Sequence, residues 1–368
     1  MRSRPFTLLI LAGSISVASA QSRTDLVDPF IGTAGGGNTF PGAVVPWGMV
    51  SVSPHNAPGS PSGYIHGEPY FYGVGHTHLS GTGCSDYGSV LVMVTNLRAG
   101  RGPQGGLWPA PTEGVARSTY RNEAASPGFY TAVLDSPAVI IEASASLRSG
   151  ITRITAMESG TLTLLLNAGT SLGITGGGEV RVETGYRDSS SAVSLPGSRV
   201  KPGMTGTTGM TGTTGMTDTT GVTATTGMTT TTGVTTTSVS GYNIGGGMCG
   251  ELNRHRTYFS AQMDREPVSA GTWIGEEVSD VSFVSGPDRS LGAWLNFNLE
   301  AGETIEVRVG ISYVSTDNAR LNLEAEQAGK SFADIREEAK EAWDDRLSRI
   351  SLKGGSRDEQ TKFYTALY

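Results

Sequence analysis

The sequence predicts a mostly β protein in which two antiparallel sheets pack face to face as a β-sandwich, with helices at its carboxyl end. Three observations predict this architecture. Short segments alternate apolar with polar or small residues, glycine and proline lie between those segments, and a three- and four-residue period begins after residue 330. Alternation with period two is typical of strands with one buried face. Short strands separated by turns, without helices between them, are typical of sandwiches.

Residues 1–20 have the composition of a secretory signal peptide. Arg2 and Arg4 precede an apolar stretch at 6–12, and small residues follow at 18–20. A basic, then apolar, then small-residue order is typical of export signals that are removed. The apolar stretch is too short to cross a bilayer. We therefore expect no membrane span and a secreted or periplasmic protein.

The predicted sandwich domain occupies residues 21–321. Alternation is clearest in two segments near its end, and three earlier segments also have strand composition, so that strands are predicted over 129–134, 138–142, 162–166, 291–299 and 305–313. Gly, Pro, Asn and Ser separate them, as hairpin connections require. No helical period interrupts the series, which favours two packed antiparallel sheets.

A threonine- and glycine-rich insertion interrupts the domain over residues 199–240. A six-residue unit of the type GMTGTT repeats from Gly203 to Ser238. A six-residue period can indicate a β-helix, but each unit carries one apolar side chain, too few to offset chain entropy. We interpret the segment as a disordered insertion at a loop tip. A structured repeat is the alternative.

A helical linker is predicted over residues 322–356. Apolar residues recur at helical spacing, and Ser331 followed by Asp334 is a plausible helix start; the stripe comprises Phe332, Ile335, Ala339, Trp343, Leu347 and Ile350. A second helix is predicted to open at Asp358. We interpret 357–368 as the start of a truncated helical domain, and we expect the stripe to be partly exposed and to promote association.

Charge excludes some classes of partner. The net charge is −7 and the isoelectric point is near 5.3, so nucleic acid, which requires a basic face, is not an expected ligand. The two cysteines, Cys84 and Cys249, lie in glycine-rich segments and could pair in an oxidising compartment. Burial as two thiols is the alternative. No protease-like sequence surrounds Cys84, which argues against a nucleophile.

The richest polar segment is residues 76–88, in which two histidines, several hydroxyls and a carboxylate surround three glycines. On a strand, His76 and His78 would share a face as a metal pair often does, with Asp86 as a third ligand. Hydrogen bonding of the loop backbone by both histidines is the favoured alternative, because no further ligand spacing is visible. No metal site is therefore predicted in this chain.

Residues 29–43 and 76–88 resemble the N-terminal domain of glycoside hydrolase family 92, a group of calcium-dependent exo-acting α-mannosidases. Gly63-Tyr64, residues 245–250 and residues 310–315 match the family in the same order. The closing residues, 363–368, look like the opening of the family's helical domain. An ordered set of motifs is far more specific than one short pattern.

The resemblance implies an N-terminal β-sandwich joined by a helical linker to an (α/α)6 barrel, with the active site where the two meet. In the family, calcium helps to bind and distort the terminal mannose, and an acid–base pair performs inverting hydrolysis. The acid, the base and most calcium ligands come from the barrel. The resemblance therefore implies no catalytic residue in this chain, and calcium bound mainly by the missing domain.

The resemblance also implies that sandwich loops form a wall of the sugar pocket. Hydroxyls, imidazoles and backbone amides there can bind sugar oxygens, and Phe40 or Tyr87 can stack on the ring. The candidate substrate-binding residues are Asn38, Thr39, Phe40, His76, His78, Ser80, Thr82 and Asp86. The alternative is that these loops pack against the barrel. One departure from the family is the lack of tryptophan in residues 56–62, which puts the linkage preference in doubt.

Carboxylates do not identify an active site. Glycoside hydrolysis generally needs two carboxyl groups roughly 5–9.5 Å apart, and no pair stands out by spacing among Asp28, Glu68, Asp86, Glu251 and Asp264. Capping, turn or salt-bridging roles are favoured for each of them.

Three functional hypotheses follow. The first is the N-terminal half of a secreted glycosidase that removes terminal α-linked mannose from glycans and is inactive without its barrel; its partners are mannose-containing glycans and that barrel. The second is a free-standing carbohydrate-binding sandwich without catalysis. The third is a surface protein in which the threonine-rich stalk is the important part.

Overall fold

A computed structural model describes residues 22–96, 116–184 and 237–368. The predicted signal peptide and most of the threonine-rich insertion lie outside the described residues. The described chain folds into two antiparallel sheets followed by three helices. The prediction of a mostly β sandwich with helices at its carboxyl end is confirmed.

The strands, numbered along the chain, are β1 (Ala43–Val44), β2 (Ser51–His55), β3 (Tyr70–Phe71), β4 (Gly73–Gly75), β5 (Leu91–Thr95), β6 (Ser118–Ser126), β7 (Phe129–Asp135), β8 (Ala138–Ala145), β9 (Ser149–Ala156), β10 (Gly160–Asn167), β11 (Gly178–Glu183), β12 (Ser238–Gly246), β13 (Arg254–Met263), β14 (Ser269–Ile274), β15 (Glu277–Ser279), β16 (Phe283–Gly286), β17 (Leu291–Leu299) and β18 (Thr304–Ser312). The eight-stranded sheet has the order β1-β2-β4-β5-β10-β17-β14-β15, and the ten-stranded sheet the order β16-β11-β12-β13-β18-β9-β8-β7-β6-β3. All five strands predicted from the sequence are present, as β7, β8, β10, β17 and β18. Strand β12 begins at Ser238, inside the range predicted for the insertion, and pairs with β11 and β13.

The core lies between the two sheets, and the eight-stranded sheet is also buried on its outer face. On β10, Leu164 and Leu166 point into the central core, whereas Leu165 packs outward with Trp273 and Trp294. This explains why β10 has a nearly continuous apolar sequence, since strands buried on both faces lose the alternation of polar residues.

Three helices follow the sandwich: α1 (Thr316–Gln327), α2 (Phe332–Leu347) and α3 (Arg357–Leu367). Ser331 and Asp334 form a reciprocal capping box at the start of α2, as predicted. Ser356 and Glu359 form the same arrangement before α3. Each box satisfies two backbone N–H groups that the first helical turn leaves without partners.

The α2 stripe is exposed at one end only. Its members from Phe332 to Leu347 are all buried, and Ile350, beyond the end of the helix, is 47 % exposed. Phe332 and Ile335 pack with residues of β7 and β9, and Trp343 and Leu347 pack with the amino-terminal segment and α3. The covering residues come from distant parts of this same chain, and the expected association stays a prediction.

The turn between β6 and β7 approaches α2 very closely. Gly128 has a φ of +80°, and a Cβ atom added there would lie 2.6 Å from the Cβ of Ala339. Only glycine satisfies both the backbone conformation and the close contact. No helix in the described ranges is long and apolar enough to cross a membrane.

Candidate functional site

Several connections meet at one end of the sandwich. Strand β10 ends at Asn167 opposite Leu91, where β5 begins, and β12 ends at Gly246 opposite Arg254, where β13 begins. Their loops therefore emerge on the same side. We call this surface the loop face; it comprises residues 30–42, 76–89, 169–177 and 246–255 together with Tyr313.

A buried asparagine fixes loops of the two sheets to each other. Asn243 on β12 is fully buried. Its Oδ1 accepts a hydrogen bond from Ser89 Oγ at 2.9 Å, and its Nδ2 donates to the carbonyls of Ala168 and Thr170 at 2.7 and 2.8 Å. All of these side-chain contacts lie away from water, where a satisfied network specifies one arrangement. The base of the loop face is therefore rigidly positioned.

The two loops predicted from the sequence contact each other. The backbone N–H of Gly81 donates to the carbonyl of Asn38 at 2.8 Å, and the rings of Phe40 and His78 are 5.1 Å apart. Thr39 donates from Oγ1 to the carbonyl of Ile31, within its own loop, at 3.1 Å. The two loops thus meet at two places, Asn38 with Gly81 and Phe40 with His78.

The remaining candidates divide by exposure. Ser80 is exposed and Thr82 is half-buried at the outer turn of its loop. His76 and Asp86 are 0 % and 2 % exposed. Asp86 Oδ1 accepts from the backbone N–H of Tyr87 at 2.7 Å. His76 and Asp86 therefore lie under the surface, where they contact the loop and not solvent.

The histidines form a hydrogen-bonded chain within the protein. The Nδ1 atom of His78 lies 3.1 Å from both the carbonyl oxygen and the hydroxyl oxygen of Ser51. Its Nε2 atom lies 2.8 Å from Nε2 of His55, and one of these two nitrogens donates to the other. His76 Nδ1 is 2.7 Å from the carbonyl of Val90. Both histidines of the loop thus lie within hydrogen-bond distance of a backbone carbonyl.

Burial keeps these imidazoles neutral. It lowers the pKa of His78 to about 3 and that of His76 to about 4. Burial and the neighbouring His78 also place the pKa of His55 well below its usual range. Desolvation disfavours the charged imidazolium. Among the residues that the structure describes, no group of three or more His, Cys, Asp or Glu side chains converges to hold a metal ion.

An aromatic cluster that the sequence interpretation did not assemble lies beside Asp86. The rings of Tyr87 and His255 are 4.6 Å apart with 32° between their planes, and Tyr313 meets both rings at 6.3 Å. Tyr313 is 42 % exposed, and partial burial together with Tyr87 raises its pKa. The cluster presents a phenol face to solvent. His255 and Tyr313 come from different strands, and no local spacing connects them to Tyr87.

A disulfide joins two loops of this surface. Cys84 and Cys249 are bonded, with their Cα atoms 5.0 Å apart. Between the two alternatives that the sequence leaves open, the structure has the disulfide. Four non-glycine residues with positive φ lie in or next to loops of the loop face: Asn38, Tyr87, Val90 and Cys249. Such backbone conformations persist where surrounding contacts enforce them, and they cluster at ligand sites.

A carboxylate that the sequence interpretation missed, Glu123, is connected to the loop face through Tyr64. A bulge at Asn122, with a φ of +52°, interrupts the pairing of β6 with β7. Next to it, Glu123 accepts hydrogen bonds from the buried phenols of Tyr64 and Tyr130 at 2.8 and 2.7 Å. Burial raises the pKa of Glu123. Two residues beyond Tyr64, the N–H of His66 donates to a carbonyl at the start of the loop face.

The carboxylates singled out in the sequence have local partners. Asp28 accepts from the backbone N–H of Phe30 at 3.0 Å, and Asp264 accepts from that of Glu306 at 2.9 Å. Glu68 and Glu251 are exposed. With Asp86, three of these five residues bind backbone N–H groups, as expected for turn and capping roles.

Comparisons with known proteins identify the family. Residues 26–312 match the model of the glycosyl hydrolase family 92 N-terminal domain, and residues 318–368 match that of the family's catalytic domain. A curated relative, an uncharacterized secreted glycosidase of Arthroderma benhamiae, is 36 % identical over 83 residues, which are 21 % of this chain and 11 % of that protein.

Solved structures share the fold. A family GH92 α-mannosidase of Bacteroides thetaiotaomicron superposes with a TM-score of 0.72 at 24 % identity, over 96 % of this chain and 41 % of that one. A GH92 inverting mannosidase from the same organism gives 0.67 at 21 % identity, over 95 % and 40 % of the two chains. The first enzyme has also been solved in complex with mannoimidazole. The present chain spans about two fifths of the length of these structures.

Proposed function

Because the chain belongs to glycosyl hydrolase family 92, we propose that its loop face forms one wall of a pocket for terminal α-linked mannose in a secreted glycosidase. The mutual contact of the two predicted loops, beside a partly exposed aromatic cluster, carries the proposal. Pockets for sugars combine an aromatic surface with a few fixed polar groups. The loop face offers both within a disulfide-joined, hydrogen-bonded frame.

We assign a role to each candidate residue from the exposure of its side chain: accessible side chains contact the sugar, and buried ones position the loops. Phe40 and Tyr313 present ring faces to the sugar, while Asn38, Ser80 and Thr82 are placed to hydrogen-bond its hydroxyls. His76 and Asp86 are positioning residues, because they are buried and bind backbone groups. His78 connects these sets, since one edge of its ring contacts Phe40 and both nitrogens bind inside the protein.

Catalysis is proposed to need the family's helical domain. That domain would supply the general acid, the general base and most ligands of a calcium ion, which helps to bind and distort the sugar. In the described part of this chain, no three potential metal-ligating side chains converge. Export by the signal peptide at 1–20 and action on mannose-containing glycans complete the proposal.

A second candidate is a carbohydrate-binding sandwich that acts without catalysis. The covered α2 stripe favours it, because the sandwich, the amino-terminal segment and α3 bury this surface within one chain. The two candidates share the loop face and differ in whether a helical domain completes the site.

Hydrolysis measured on the 368-residue chain tests the assignment of catalysis to another domain. The 368-residue chain is incubated with α-mannobiose, with calcium and then with a chelator, and released mannose is measured. We expect no release in either condition. Release that the chelator abolishes would contradict the assignment of catalysis to another domain.

Binding of methyl α-mannoside tests the wall itself. One sugar ring against one aromatic residue should bind weakly, with a Kd on the order of 1 mM, or about 4 kcal/mol. Tyr313→Leu should weaken binding at least tenfold. Tyr70→Leu is the matched control, because Tyr70 is a half-buried tyrosine on β3, outside the loop face. Equal affinity of both variants and the parent would refute the proposal.

A further inference from the structure

A tryptophan at the turn between β1 and β2 is held in solvent. Trp47 is 80 % exposed and has a φ of +56°. The N–H of Gly48 closes the turn onto the carbonyl of Val45 at 3.0 Å, and the N–H of Met49 donates to the carbonyl of Leu147 at 2.7 Å. The turn is thus fixed against the connection between β8 and β9, and the ring projects from a rigid base.

This conformation is unfavourable on two counts. A positive φ is unusual for a bulky side chain, because Cβ approaches the backbone oxygen. An exposed indole also forgoes the free energy that burying so large an apolar ring would give. Neither cost is offset by packing of the ring in a core. Strained residues of this kind occur at ligand clamps.

The ring stands at the side of a cleft. The cleft has a volume of about 590 Å³ and lies between the sandwich and helices α1 and α2. Small side chains, among them Ala325, Ala339 and Ala342, leave the space open, and Leu147, which is 52 % exposed, also lines it. Pockets for small ligands commonly measure about 300–1,000 Å³. The cleft is therefore large enough for a sugar ring or two.

The charged side chains at the cleft are mostly paired. The guanidinium of Arg346 lies 4.7 Å from the centre of the Trp47 ring and covers one side of it. Lys330 and Glu338 form an ion pair at 2.7 Å, and Asp345 also lines the cleft. Two cationic and three anionic side chains line the cleft, and the third anion, Glu326, is paired with Arg148 at 2.7 Å. These paired groups offer donors and acceptors to a neutral ring with many hydroxyls.

We propose that this cleft binds a neutral hexopyranose ring of a glycan, stacked on Trp47, as a site additional to the loop face. The choice of a mannose-containing glycan rests on the proposed function above. The aromatic wall and the paired charges are features of the cleft itself. Aromatic rings held on one side by a guanidinium lose little side-chain freedom on binding, which favours affinity.

The test is a titration of the whole 368-residue chain, labelled with 15N, with α-mannobiose and α-mannotriose. Trp47 is one of five tryptophans in the chain, and its indole N–H signal is assigned from its loss in Trp47→Gly. In the parent protein, we expect this signal to shift with sugar concentration until the shift saturates. The same titration curve is expected in Tyr313→Leu, which alters only the loop face. If the Trp47 indole N–H signal does not move at the highest sugar concentration, the proposal is overturned.

Two variants separate binding from folding. Trp47→Gly should lose the cleft contact, weakening binding there at least tenfold, while the urea midpoint does not fall, because glycine adopts positive φ without strain. Ala342→Leu should reduce binding similarly by filling the cleft while leaving Trp47 in place. A large fall in the midpoint of Trp47→Gly, with sugar binding intact in Ala342→Leu, would mean that the ring serves packing and would refute the site.

The outcomes also separate the two proposals. Shifts confined to loop-face signals would refute the cleft and support the proposed function. Shifts confined to the Trp47 indole, with Tyr313→Leu neutral, would support the cleft and contradict the sugar wall.

Discussion

Replacing Gly128 by alanine tests how α2 is held on the sandwich. Two separate effects are expected at this position. Alanine at a φ of +80° is strained, at about 1–2 kcal/mol. The new Cβ would also lie 2.6 Å from the Cβ of Ala339, far inside the usual carbon–carbon separation, and overpacking of this kind typically costs about 1–3 kcal/mol. Gly128→Ala should therefore lower the free energy of unfolding by about 2–5 kcal/mol.

A double-mutant cycle separates the two effects. Ala339→Gly alone should destabilise by about 1 kcal/mol through helix propensity, and slightly more through the lost methyl group. In the Ala339→Gly background the steric contact is absent, so Gly128→Ala should show the strain alone. The coupling free energy between the two sites should be about 1–3 kcal/mol. Urea unfolding followed by tryptophan fluorescence measures all four proteins.

Gly302→Ala is the matched control. Gly302 has a φ of +89° and no atom within 4 Å of an added Cβ, so it should show the strain without the contact. Additive effects of Gly128→Ala and Ala339→Gly, or a loss in Gly302→Ala equal to that in Gly128→Ala, would refute the close packing of α2 on the β6–β7 turn.

Two further perturbations address the loop face. Removing the bond between Cys84 and Cys249, which are 165 residues apart, should lower the free energy of unfolding by up to about 5 kcal/mol, because the unfolded chain gains conformational entropy. Urea unfolding of the Cys84→Ser/Cys249→Ser variant measures this loss. An unchanged urea midpoint would mean that the bond contributes nothing to stability. The buried imidazoles should make stability depend on pH. Burial lowers the pKa of His76 to about 4, so between pH 6.5 and pH 4 its imidazole binds a proton in the unfolded chain but not in the folded one. The free energy of unfolding should therefore fall by about 3 kcal/mol from about pH 6.5 down to pH 4. His76→Gln should flatten that part of the stability profile, and a parent protein equally stable at pH 4.5 and 7 would contradict the neutral, buried histidines.

Strands and helix starts could be predicted because their signals are local. The alternation over residues 291–299 coincides with β17, since a period of two directly reflects which side chains face the core. Ser331 and Asp334 marked the start of α2, because a capping box joins residues three positions apart.

Features that depend on distant residues could not be predicted in this way. The α2 stripe is buried by residues such as Leu26 and Tyr364, and nothing in its own period shows what will cover it. His55 meets His78 because β2 pairs with β4, a register that the sequence does not reveal. Tyr313 reaches Tyr87 from the end of β18, and Glu123 turns inward beside a bulge that has no compositional signal.

The Cys84–Cys249 bond has a consequence for the continuity of the chain. The two cysteines lie on either side of residues 185–236, and Glu183 and Ser238, just outside that segment, are direct cross-strand partners. If a protease cut one peptide bond between residues 185 and 236, the two polypeptides would remain a single covalent molecule, still aligned by the β11–β12 ladder. Such a protein would migrate as one band without reductant and as two bands with it. The sandwich is thus a structure that one cut between residues 185 and 236 cannot divide.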